Sequence, residues 1–130
     1  MAPPPLVALL LTLAGWTESP LYRPLFTPPR LPEGIYQTYV SPRPIDWILA
    51  DMQAGVEARP VSAFEAFGQS GGYNRWKLAR LYGAKRANVA RLPRVENGRV
   101  VEAWTLISPY PDPSFERLEP GTLLIVLSLR

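Results

Sequence analysis

The chain has 130 residues, of which 47% are hydrophobic and 19% charged, and its formal net charge is +3 at pH 7. This length allows one domain, and the balance of apolar and charged residues predicts a folded chain. Because the sequence has no Cys and no His, it excludes disulfides, thiol and imidazole catalysis, and the metal sites built on either residue. We expect no metal site and no cofactor.

Residues 1–14 are predicted to be a signal peptide. From Leu6 to Ala14 the chain is uncharged and apolar, with the length of a secretory h-region and too few residues to cross a bilayer as a helix. Thr12 and Ala14 precede a possible cleavage site ahead of Gly15. We therefore expect export to the periplasm or the extracellular space, with no membrane span after cleavage. Because no Lys or Arg precedes the apolar run, a cytoplasmic protein that retains this segment is the alternative.

Residues 15–44 are predicted to form a proline-rich extended arm or linker, and residues 45–130 the globular domain. Seven prolines fall between Pro20 and Pro44, and proline lacks a backbone donor and favours extended neighbours. Within the arm, residues 35–40 could make a short edge strand. We expect Leu25 and Phe26 to pack against the domain instead of remaining in solvent.

The segment from Ile45 to Val56 predicts an amphipathic helix that ends near Gly55. Asp46 and Asp51 fall on its solvent face. Its apolar residues recur at helical spacing and comprise Ile45, Ile48, Leu49, Met52 and Val56.

A short helix is predicted to begin at Ser62, which has capping-box spacing to Glu65 and would carry Phe64 and Phe67 toward the core. The following residues 68–72 match the G-x-S-x-G pattern of a nucleophile elbow. Ser70 lacks a His to act as its base, so a glycine-rich turn is the preferred interpretation.

A further helix is predicted from Asn74, as N-cap, to Tyr82, with Gly83 after its end. Leu78, Leu81 and Tyr82 would form its apolar face. The alternation of charged and apolar residues at positions 75–78 would also suit a strand, so the strand stays open as an alternative.

The Asn97–Gly98 dipeptide predicts a type I′ β-hairpin. Without a bulge, the cross-strand pairs would be Val95 with Val100, Arg91 with Trp104, and Val89 with Leu106. Pro93 indicates a bulge or an edge position in the first strand. Residues 122–129 are predicted to pair with residues 100–107 as a strand buried on both faces. The expected fold is a small α+β domain, in which the C-terminal half forms most of an antiparallel sheet with two or three short helices.

Positive charge is concentrated between residues 75 and 99, where eight Lys or Arg residues are opposed by one Glu. Such a patch raises the local concentration of anionic partners. A solvated helix and hairpin surface without a ligand is the simpler alternative. The predicted anion- or partner-binding site comprises Arg75, Trp76, Lys77, Arg80, Tyr82, Lys85 and Arg86.

These features favour an exported, non-enzymatic domain that binds an anionic envelope polymer or a protein partner through this basic face. One alternative is a cytosolic nucleic-acid-binding module in which Trp76 or Tyr82 stacks on a base. Another is a small carboxylate-dependent polysaccharide hydrolase with the loop of residues 110–115 beside its site, where Asp112 is a candidate for contact with a ligand and otherwise a turn residue. The sequence sets no oligomeric state.

Overall fold

A computed structural model of the chain describes residues 15–19, 22, 34–53, 55–67 and 72–129, with the backbone alone described at 34–36, 72–74 and 129. These residues form a small α+β domain with a six-stranded antiparallel sheet and three helices, as the sequence predicts. The predicted signal peptide, Leu25, Phe26 and Ser70 lie outside the described residues.

The elements follow one another in the order β1 (Thr17–Glu18), β2 (Gly34–Ser41), α1 (Ile45–Asp51), β3 (Arg59–Val61), α2 (Ala63–Phe67), α3 (Gly72–Tyr82), β4 (Ala87–Glu96), β5 (Arg99–Ser108), β6 (Tyr110–Pro111), β7 (Leu118–Glu119) and β8 (Thr122–Leu129). The sheet order is β1-β2-β8-β5-β4-β3, and every neighbouring pair is antiparallel. Strands β6 and β7 form a separate two-stranded ribbon.

Strand β8 lies inside the sheet, between β2 and β5, and its pairing with β5 confirms the prediction. Its residues from Thr122 to Val126 are all buried. Leu123 and Ile125 contribute to one hydrophobic cluster, whereas Leu124 and Val126 contribute to the other. Alternate side chains of a strand point to opposite faces, so both faces of the sheet are covered.

Helices α2 and α3 cover one face of the sheet, and α1 covers the other. On the first face, Phe67 and Tyr82 pack with Ile107 and with the odd-numbered core residues of β8. On the second face, Ile48 and Trp16 share a hydrophobic cluster with Leu124 and Val126 of β8. The domain is therefore layered, with helices on both sides of one sheet.

The predicted hairpin is present, but its register shifts by one residue beyond the turn. Val95 pairs with Val100 as predicted, and a bulge follows between Arg94 and Val95. The predicted pairs of Arg91 with Trp104 and of Val89 with Leu106 are therefore wrong, since Trp104 lies opposite Leu92, Arg91 opposite Thr105, and Val89 opposite Ile107. A shift of one residue exchanges the two faces of a strand, and this one places Leu92 rather than Arg91 beside Trp104.

Helix α1 is shorter than predicted. Its buried residues are Ile45, Ile48 and Leu49, which confirms most of the apolar stripe, and both aspartates are exposed. The helix ends at Asp51, and Gln53 follows with a φ of 54°. Because this left-handed residue turns the chain away from the helix axis, Val56 is 38% exposed instead of buried.

Helices α2 and α3 confirm the two remaining helix predictions, with corrections at single residues. The backbone N–H of Glu65 donates to Ser62 Oγ at 3.2 Å, as in a capping box. Phe67 is buried, but Phe64 points outward. Helix α3 begins at Gly72 rather than at Asn74, and Gly83 ends it with a φ of 55°.

The part of the proline-rich arm that is described packs on the domain. β2 is longer than the predicted edge strand and pairs with β8 along its whole length, while β1 covers Tyr39 and Val40 on its other side. Ser19 donates its backbone N–H to the carbonyl of Thr38 and accepts a bond from the Thr38 hydroxyl. Among the described helices, none combines the length and apolarity needed to cross a membrane.

Candidate functional site

Helix α3 carries four of the predicted site residues on its outer side. Leu78 and Tyr82 are buried against the sheet. Arg75, Trp76, Lys77 and Arg80 are exposed, and Trp76 is 80% accessible. The helix sequence contains no Asp or Glu. Its outer side therefore presents an aromatic ring among three cations.

An apolar groove of about 210 Å³ separates α3 from α2. Phe64, which is 58% exposed, and Trp76 both line it. The Arg75 guanidinium lies over the Phe64 ring, 4.5 Å from its centroid, in a cation–π contact. The groove thus joins two exposed aromatic side chains of different helices.

On the other side of Trp76, two cations line adjoining depressions. Lys77 and Arg80 share one depression with Trp76 and another with Phe115 and Glu116 of the loop after β6. The Lys77 Nζ lies 5.8 Å from the Phe115 ring centroid. We define the α3 surface as Phe64, Arg75, Trp76, Lys77 and Arg80.

Tyr82 does not belong to the α3 surface, although the sequence places it among the cations. It is 2% exposed, and its hydroxyl donates to the carbonyl of Pro109 at 2.5 Å. Burial, followed by the proximity of Tyr22, raises the pKa of Tyr82 well above its ordinary value. Its ring packs in the core and is not available to stack on a ligand.

Lys85 and Arg86 follow α3 in the turn that leads to β4, and both are exposed. Arg86 donates to the carbonyl of Pro60 at 3.0 Å, which ties this turn to β3. These two residues extend the positive charge beyond the end of the helix. The helix itself extends about 10 Å from Arg75 to Tyr82, at 1.5 Å per helical residue, before this turn begins.

Two other cations of the 75–99 stretch, Arg91 and Arg94, contact neighbouring groups of the sheet and helices. Arg91 donates to the carbonyl of Glu65 at 2.9 Å, on the face that α2 and α3 cover. Arg94 pairs with Glu96 at 3.3 Å and with Glu102 at 3.5 Å. Because Arg94 lies opposite Glu102 and next to Leu92, it faces the α1 side. The eight charges therefore do not form one patch, and the part that carries aromatic side chains is the α3 surface.

Asp112 organises its own loop. Its Oδ1 accepts the backbone N–H groups of Glu116 at 2.7 Å and Arg117 at 2.9 Å. Partial burial by itself would raise the pKa of Asp112, but these bonds and that of Ser114 lower it below the ordinary value. Bonds of this kind hold the carboxylate in its charged form, so Asp112 acts as a turn residue.

Two further observations concern carboxylates. Glu102 is buried in β5, accepts the indole N–H of Trp104 at 3.0 Å and pairs with Arg94. Asp46 and Glu57 line a common groove on the α1 side, away from the loop that the hydrolase alternative uses. Within the described part of the chain, no group of three acidic residues is arranged to hold a metal ion.

Comparison of the chain with protein-family models, with curated proteins and with solved structures finds no match. The site is therefore defined by the residues of this chain.

The sequence did not point to Phe64 or to the groove beside it. A signal exists in the spacing of α2, where Ala66 and Phe67 are buried and Ala63 is half-buried. Positions i, i+3 and i+4 share one helix face, which leaves Phe64 at the margin of that face. Which second helix lies beside this margin depends on tertiary packing, and no local pattern encodes it.

Proposed function

We propose that this protein is an exported, non-enzymatic binding domain that holds an anionic envelope component or protein partner on the α3 surface. The observation that carries the proposal is the position of Trp76, exposed between cations on a helix without acidic residues. An exposed indole of this size is unfavourable in water unless a partner covers it.

The chemistry of the α3 surface suits a partner that is both charged and apolar. Guanidinium and ammonium groups form charge-assisted hydrogen bonds with carboxylates and phosphates. The groove between Phe64 and Trp76 offers apolar contact beside these groups. Glu65 in α2 and Glu116, which lines a depression with Lys77 and Arg80, are two acidic residues against the three cations of the surface, so its net charge stays positive.

Export is the part of the proposal that rests on the sequence alone. Cleavage ahead of Gly15 would leave all described residues in the mature protein, including the buried Trp16. Sequencing the amino terminus of the protein purified from its native cells tests this part. A start near Gly15 supports export. A retained leader favours the cytosolic nucleic-acid module, for which the stacking platform would consist of Trp76 without Tyr82.

Binding to inorganic polyphosphate at increasing salt concentrations tests the anionic partner. We expect the logarithm of the association constant to fall linearly with the logarithm of salt concentration. The triple variant Arg75→Gln, Lys77→Gln, Arg80→Gln should bind about tenfold more weakly or worse, since each exposed charge pair contributes roughly 0.2–1 kcal/mol.

The matched control removes the same charge elsewhere, through Arg43→Gln, Arg59→Gln and Arg99→Gln. All three side chains are exposed, and none belongs to the α3 surface. We expect this variant to retain affinity within about threefold, because exposed charges are screened beyond roughly 10 Å. Equal losses in both triple variants, or binding that ignores salt, would contradict a specific basic surface.

A further inference from the structure

We infer that the anionic partner is the surface of a phospholipid bilayer, on which the α3 surface docks with Trp76 and Phe64 inserted among the lipid headgroups. This inference rests on the proposed function and names its ligand. A protein exported across a membrane meets the outer leaflet of that membrane, so the ligand is present where the proposal places the protein.

The first argument is the placement of the aromatic residues. Trp76 and Phe64 are the two most exposed large hydrophobic side chains of the described residues, at 80% and 58%. They come from different helices and line the same groove, so they project from one side of the domain. Tryptophan is enriched at membrane interfaces because its ring is apolar while its N–H group stays hydrated.

The second argument is the placement of charge around these rings. Arg75 stacks on Phe64, while Lys77 and Arg80 line the depression beside Trp76. Long cationic side chains at the edge of an apolar patch can reach lipid phosphates while their stems remain in the interface.

The third argument comes from the other exposed tryptophan. Trp47 of α1 is 46% exposed, and the Arg43 guanidinium lies 3.9 Å from its ring centroid. This pair lies on the α1 side of the sheet, where Asp46 and Asp51 of the same helix are also exposed. A flat bilayer can contact only one side of the domain, and the two aspartates make α1 less attractive to an anionic leaflet than α3, whose sequence has no acidic residue. Trp47 is therefore a matched control.

The experiment measures binding of the full chain to vesicles of phosphatidylglycerol and of phosphatidylcholine, by sedimentation and by tryptophan fluorescence. We expect tight binding to phosphatidylglycerol with a blue shift that persists in Trp47→Phe and is lost in Trp76→Phe. Trp76→Ala should weaken binding about tenfold through the loss of buried ring area. The triple variant Arg75→Gln, Lys77→Gln, Arg80→Gln should lose about 100-fold, at about fivefold per cation near an anionic leaflet.

Several results would overturn the inference and leave the proposed function standing. Equal weakening by Trp76→Ala and Trp47→Ala would show that α3 does not dock. Equal binding to both lipids would remove the role of net negative lipid charge, since both lipids carry a phosphate. Binding to polyphosphate or single-stranded DNA without binding to vesicles would identify a soluble polyanion as the ligand. A Trp76-dependent dimer in light scattering would assign the surface to a second copy of the chain.

Failure to bind vesicles and polyphosphate alike would overturn both proposals.

Discussion

At Gly121, a single added methyl group would clash with the backbone of a neighbouring strand. It is buried in the turn before β8, and a Cβ placed on it would collide with the backbone carbonyl of Ser41 at the end of β2. The next residue, Thr122, donates its hydroxyl to the carbonyl of Arg43 at 2.8 Å. The two residues thereby fix the approach of the turn to the end of β2.

We predict that Gly121→Ala lowers the free energy of unfolding by about 3 kcal/mol, as expected for overpacking against backbone that cannot move aside. Gly55→Ala is the control, because a Cβ at Gly55 meets nothing within 4 Å. It should change stability by less than about 1 kcal/mol. Urea unfolding followed by circular dichroism measures both, and equal stabilities of the two variants would contradict the steric account.

At the scale of the element, α1 shows where a helix loses contact with the core. Ile48 is buried in the middle of the helix, while Val56 lies beyond the left-handed residue Gln53. The helical spacing of apolar residues continues through both positions, but only the residues before Gln53 are buried in the core.

We predict that Ile48→Ala lowers the free energy of unfolding by about 3 kcal/mol, through lost burial and the cavity that remains. Val56→Ala should cost less than about 0.5 kcal/mol, as for an exposed substitution. The midpoints of urea unfolding distinguish these outcomes. Equal costs at the two positions would mean that the helix continues to Val56 in solution.

The features of the fold divide by the range of the interactions that determine them. Caps and turns were predictable because each depends only on residues a few positions away in the sequence. The examples are the Ser62 cap, the helix end at Gly83 and the Asn97–Gly98 turn. Pro93 indicates a bulge or an edge position, and a bulge lies close by, between Arg94 and Val95. The register that follows from it was not predictable, since it depends on which side chain shares a face with Trp104.

The candidate site divides in the same way. Its cations and Trp76 follow from the sequence, whereas the burial of Tyr82 and the groove beside Phe64 arise from the packing of α2 and α3 on the sheet. Helical periodicity alone cannot separate an aromatic residue that packs in the core from one that faces solvent when charged residues surround both.

At the scale of the whole molecule, buried tyrosines join the arm, α3 and the β6 loop. The Tyr22 hydroxyl donates to the carbonyl of Pro111 at 2.7 Å, and Tyr82 donates to Pro109. Burial is the main cause that raises the pKa of both residues, and for Tyr22 the neighbouring Tyr110 adds to it. An ionised tyrosine can no longer donate, so these bonds exist only with the neutral form.

We predict that the protein loses stability in alkali. The pKa of Tyr82 is higher in the folded state than its ordinary value of 10.0. The neutral hydroxyl therefore stabilises the fold fully below about pH 10 and progressively less as the pH rises above it. Tyr82→Phe should be about 1 kcal/mol less stable at neutral pH through the lost hydrogen bond, but its stability should fall less steeply in alkali. Urea unfolding at about pH 8 and about pH 11 measures both slopes, and parallel slopes would contradict the assignment.

The position of β8 has a consequence for when the protein can fold. Among the described strands, β1 and β2 are joined to β3, β4 and β5 only through β8, which comes last in the chain. A polypeptide that emerges amino end first therefore carries two incomplete half-sheets until residues 122–129 have followed. Such distant pairings form slowly. We therefore expect the complete sheet to form only once residues 122–129 are available to pair with both β2 and β5.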